Sequence, residues 1–137
     1  MSHVHIEQLF AVFEEHAEVR EAVVQRLRNP SYTGYGRLKQ AERNLETTYI
    51  LRLFVEFEGI LRLVLLTHDP RRRVSREAYN RINRAARLFS VPDPIRDAVH
   101  NAREYRNSLV HPGGVQIAPL SLRQARSVLN RFLKLLP

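Results

Sequence analysis

Tyr49-Ile50-Leu51-Arg52-Leu53-Phe54-Val55-Glu56-Phe57-Glu58-Gly59-Ile60-Leu61-Arg62-Leu63-Val64-Leu65-Leu66 is the longest apolar stretch of the chain. Its four charges, Arg52, Glu56, Glu58 and Arg62, exclude a bilayer span, because a span would bury all of them. Ile50, Leu53, Phe54, Phe57, Leu61, Val64 and Leu65 recur at three- and four-residue steps, the helical period. The spacing predicts a helix over about 38–67, stopped by Asp69-Pro70. These positions give it a broad apolar face.

Four more segments carry the same period. The first runs from about His3 to Arg28, with Ser2 as candidate cap and Asn29-Pro30 as its end. Its stripe is Ile6, Leu9, Phe10, Phe13, Ala17, Val23, Val24 and Leu27. The glycine-rich Ser31–Gly36 reads as a loop. Ser75 is the expected cap of a helix to about Phe89, with Ala78, Tyr79, Ile82, Ala85, Ala86 and Phe89 as its apolar stripe. Arg76, Arg81, Arg84 and Arg87 fall on the opposite face, which is either solvated, the commoner case, or in contact with phosphate. Pro92-Asp93-Pro94 predicts the start of a fourth helix, with Asp93 as N-cap and Pro94 first inside it. It reaches about Val110 and stops at Pro112-Gly113-Gly114. Ser121 is the expected cap of a fifth helix through Leu136. No stretch alternates with period two for long, so the expected fold is all-α: one domain, an up-and-down bundle of four to five helices.

Composition narrows the function classes. Hydrophobic residues make up 44% and charged residues 26%, which argues for a folded chain rather than a disordered one. Cysteine is absent, so no disulfide framework or thiolate metal site is possible. The start, Met-Ser-His-Val-His-Ile-Glu, lacks a basic segment followed by an apolar run, so a cytoplasmic location is expected. Formal charge is +8, and 20 of the 22 basic residues are arginine. Arginine makes planar, two-pronged contacts to phosphate, which favours a nucleic-acid partner over a merely solvated surface. The charge is also uneven. Residues 1–30 hold five acids and three bases, whereas Arg71 to Arg106 holds ten arginines and four acids. A concentrated strip is the better electrostatic footprint. Arg71, Arg72, Arg73, Arg76, Arg84, Arg87 and Arg103 are its candidate nucleic-acid contacts.

Projecting the fourth helix at roughly 100° per residue exposes an oddity. Ile95, Ala98, Val99, Ala102, Tyr105, Leu109 and Val110 define the inward stripe, and Arg106 falls within it. An inward arginine must be paired or must open onto a cleft. On the second helix Glu58 lies at the flank of the apolar face, between Phe54, Leu51 and Leu65. It either pairs with Arg106, lines the same cleft, or is a solvated flank residue. His111, five residues after Arg106 where the helix breaks, is a candidate acid/base group.

Arg106-Asn107-Ser108-Leu109-Val110-His111 resembles the motif of the HEPN superfamily: Arg, a polar residue that is commonly Asn, three variable residues, then His. The setting is similar too, at the end of the fourth helix of a small bundle, and Tyr49–Gly59 resembles the second helix of bacterial HEPN-like proteins. The resemblance implies metal-independent RNA cleavage, in which the ribose 2′-hydroxyl attacks the adjacent phosphate. The products are a 2′,3′-cyclic phosphate and a 5′-hydroxyl. On that template His111 moves a proton, Arg106 stabilises the charged phosphorane and Asn107 orients the phosphate or His111; Glu58 joins these candidates through the helix projection, not through the motif. The resemblance also implies a homodimer, since the family usually builds its cleft from two copies of the motif. A toxin or phage-defence role, restrained by an antitoxin, follows from the same likeness; a nucleotidyltransferase-like partner belongs instead to a non-catalytic adaptor. Some toxin members carry Tyr two residues after the His; this chain has Gly113 there, so that subgroup's partner chemistry does not transfer.

Other motifs lead nowhere comparable. His3 and His5 are a weak metal signal, His16, His68 and His100 lack zinc-site spacing, and Gly34 and Gly36 lack the strand-loop-helix setting of a phosphate loop. No cofactor is expected. Tyr32 and Tyr35 either stack on bases or, more simply, pack on the bundle. Two other readings stand beside the nuclease: a non-catalytic HEPN module that binds RNA, a nucleotide or a partner protein, and a structural bundle in which Arg106 merely bridges helices.

Overall fold

A computed structural model describes residues 3–28, 35–111, 113–114 and 117–137. The expected cap at Ser2, the stop at Asn29-Pro30, most of the glycine-tyrosine loop and Pro112 lie outside the described residues. The structure has five helices, α1 (His3–Leu27), α2 (Tyr35–His68), α3 (Ala78–Leu88), α4 (Asp93–Val110) and α5 (Leu122–Leu133), and no strand among the described residues. Each helix packs on the next in sequence and α5 returns to α1, the neighbour order of an up-and-down bundle. α2 touches all four others. It holds that place because Ile50, Leu53, Phe54, Phe57, Ile60, Leu61, Val64 and Leu65 are all buried. Phe57 meets Phe54 and Phe132 edge-on at centroid distances of 6.3 and 5.9 Å, tying α2 to α5. No described helix is long and apolar enough to cross a membrane.

The helix ends follow from local chemistry, with three departures from expectation. α2 begins at Tyr35, so Gly36 lies inside the helix rather than in a loop. Ser75 does not cap α3. Its hydroxyl instead accepts from the backbone N–H of Glu77 at 3.2 Å and from Asn80 Nδ2 at 3.4 Å, closing a turn just before the helix. The N-cap of α4 is Pro92, which leaves Asp93 in the first turn, where a carboxylate is favoured by the helix dipole. Ser121 does cap α5, in a reciprocal pair with Gln124. That helix ends at Leu133, short of the buried Leu136. α3 stops without a glycine: Ser90 takes a positive φ of 53°, and the Val91 N–H reaches back to the Ala86 carbonyl at 2.9 Å.

Side-chain burial corrects the expected stripes. In α1, Val12 and His16 are buried, whereas Ala17 and Phe10 face outward. Arg126 of α5 covers that exposed aromatic edge, its guanidinium lying 4.8 Å from both the Phe10 and Phe13 ring centres. In α3, Tyr79 is 50% exposed rather than inward. Val110 is likewise outward at the end of α4.

Candidate functional site

The inward arginine of α4 finds the flank glutamate of α2. Arg106 Nη2 donates to Glu58 Oε1 at 2.5 Å, and the guanidinium lies 5.7 Å from the Phe54 ring centre. Both side chains are about three-quarters covered. A second arginine joins them: Arg81 Nη2 of α3 sits 3.6 Å from Glu58 Oε2. One carboxylate therefore faces two guanidiniums and ties α2 to both α3 and α4. Arg81 was expected on the outward basic face of α3, yet its side chain is only 12% exposed. Its signal was present, since Arg81 is one turn from Ala78 and Ala85 and so lies at the edge of the stripe that meets α2.

His111 and Asn107 lie elsewhere. They share a shallow recess of about 230 Å³ with Glu104, Ser108, Gly114 and Ile117, and Arg106 does not line it. The helix explains the split. Asn107 and His111 are four residues apart and share a face, whereas Arg106 and His111, five apart, diverge by roughly 140°. Within one chain, Arg106 faces α2 and His111 faces outward, where it is exposed.

The sequence-predicted basic residues form two adjoining hollows. Arg71, Arg72, Arg73, Arg76 and Arg81 line one of about 540 Å³, beside the connection between α2 and α3. Arg72 and Arg73 also line the larger neighbour of about 660 Å³, with Arg84 and Arg87 of α3 and Arg96 and His100 of α4. Arg103 lies along the same side, its guanidinium 5.4 Å from the Tyr79 ring centre. Like Arg81, Arg84 departs from the expected outward face: it is 8% exposed. Arg72, Arg73 and Ser75 of the connection before α3 line the same hollow as Arg84.

His100 shapes the larger hollow. Its Nε2 donates to Asn83 Oδ1 at 2.8 Å, and its ring lies 4.8 Å from that of Tyr79. Burial, then the charges of Arg103 and Arg96, pushes its pKa below the usual 6.5, so the neutral ring is favoured. Along α4, Arg96, His100, Arg103, Asn107 and His111 follow at steps of three or four. They make one continuous stripe from the basic hollow to the histidine recess. Among the described residues there is no group of three or more His, Asp or Glu side chains that could hold a metal. No family model, curated protein or solved structure matches this chain.

Proposed function

We propose that this chain is a HEPN-type RNA-binding protein that cleaves RNA without a metal when two copies meet. The supporting observation is the α4 stripe, which joins an arginine-lined groove to Asn107 and His111 of the motif. The groove supplies sequence-independent attraction for a phosphate backbone. From His100 to His111 the stripe runs roughly 16 Å along the helix axis, long enough for several nucleotides. At the motif, the 2′-hydroxyl proton passes to one His111 while its oxygen bonds to phosphorus. The 5′-oxygen leaves with a proton from a second acid, and Arg106 balances the charge of the phosphorane. Because Arg106 and His111 diverge in one chain, a complete site needs a second copy to set its motif against the first. A toxin or defence role under an antitoxin, in the cytoplasm, belongs to the same reading, whereas a nucleotidyltransferase-like partner belongs to the non-catalytic one.

The test is incubation of pure protein with mixed RNA in chelator, followed by identification of the product ends and of the oligomeric state by light scattering. Cyclic phosphate ends from a dimer, lost in His111→Ala with fold and dimer intact, are the expected result. A specific observation favours a second reading, a non-catalytic binding module: Arg106 is already charge-paired by Glu58 and does not line the His111 recess. That module would bind RNA without cutting it, and binding would survive His111→Ala.

A further inference from the structure

The basic hollow between α3 and α4 holds a charge without a counter-charge. Arg84 is 92% buried by its 8% exposure, and its Nε and Nη1 atoms have no hydrogen-bond partner. No carboxylate pairs with it among the described residues. A buried guanidinium without an anion is strongly disfavoured. Around it the cavity carries Arg72, Arg73, Arg87 and Arg96 against one acid, Asp97, which Arg96 already engages at 3.0 Å. The hollow is therefore short of negative charge, and at Arg84, its covered member, water screens poorly. One wall is aromatic and open: Tyr79 is half exposed and is backed by His100 on one ring contact and Arg103 on another. At about 660 Å³ the space suits a ligand the size of a mononucleotide.

We infer that this hollow is a nucleotide site, with Arg84 and Arg87 taking a phosphate monoester and Tyr79 stacking the base. Arg72 and Arg73 face the phosphate from the connection before α3, and Asn80, whose amide nitrogen donates to Ser75 and Glu77, turns its carbonyl oxygen to the base edge. The phosphate comes either from a free nucleotide or from the 5′-phosphorylated end of a strand. The site is separate from the motif of α4 and does not depend on RNA cleavage.

Calorimetric titration of the full chain with AMP, adenosine and inorganic phosphate tests the assignment. One AMP per chain, bound at least about tenfold more tightly than adenosine, is the expected result. Arg84→Met should lose that preference while remaining folded by circular dichroism, because it removes a charge and keeps the volume. Tyr79→Ala, at an exposed position, should weaken AMP about tenfold and leave inorganic phosphate unchanged. A 10-nucleotide RNA with a 5′-phosphate that outcompetes both AMP and its 5′-hydroxyl counterpart assigns the phosphate to a strand end. AMP binding at least as tight as that RNA assigns it to a free nucleotide. Equal binding of AMP and adenosine, no binding of either, or unchanged AMP binding in Arg84→Met overturns the site. Cleavage is not read in any arm, so loss of the ribonuclease proposal leaves this result standing.

Discussion

Two arginines, Arg106 and Arg84, are both drawn in from the surface, and they meet opposite surroundings. Arg106 has a carboxylate in hydrogen-bond contact and an aromatic face beneath it. Arg84 has neither and is more deeply covered. The first is a cation satisfied by the fold itself, so its removal should loosen the bundle. The second is a cation whose partner must come from outside, so its removal should not. That contrast separates a charge that holds helices together from one that waits for a ligand.

The largest effect should come from Glu58→Gln, which strips the counter-charge from Arg81 and Arg106 together. We expect a loss of about 2–3 kcal/mol in urea unfolding, below the fully buried case because all three groups keep some solvent contact. A loss under about 0.5 kcal/mol would mean that the carboxylate holds nothing. Arg84→Met should shift stability the other way, raising the ligand-free protein by about 1–2 kcal/mol, since an unpaired buried charge is replaced by an apolar chain. Destabilisation by that amount would erase the contrast. Arg106→Gln should cost only about 1–2 kcal/mol, less than Glu58→Gln, because Arg81 remains to neutralise the glutamate. The reverse order would show that Arg81 contributes nothing.

Acidity offers a gentler probe. His16 and His100 both have pKa values lowered, chiefly by burial, so each is neutral in the fold at a pH where the unfolded chain takes up a proton. The stability they supply is complete above about pH 6.5 and is lost as pH falls toward their lowered folded values. Urea midpoints at pH 7.5 and 5.5 should differ in that sense, and His16→Asn with His100→Asn should flatten the difference. The smallest change belongs to Ser90→Gly, which removes the cost of a left-handed backbone at the end of α3. It should add up to about 1 kcal/mol, read as a rise in melting temperature.

Much of this was legible in the chain because two signals agreed. The apolar spacing of residues 50–65 and of 95–109 specified inward faces, and Glu58 and Arg106 stood out as charges at or inside them. Each needed a partner and the other was a suitable one. Arg84 was not legible, because a single-helix projection places it outward and its burial comes from packing beyond its own helix. Tyr79 failed for the complementary reason: it lies at the margin of the α3 stripe, where α4 leaves one side open for His100 to stack. The divergence of Arg106 from His111 could have been read from their five-residue separation, which does not return to the same helical face. What no spacing could supply is the bridging of Glu58 by a third helix through Arg81.

Among the described residues α3, the shortest of the five helices at 11 residues, packs on just two of the other helices, α2 and α4. It also forms one wall of the hollow at Arg84. Such a segment can detach without dissolving the centre of the protein, a partial opening that amide exchange detects. Residents of the hollow would then act as a latch, and the amide protons of residues 78–88 would slow their exchange more than any others when the latch is set.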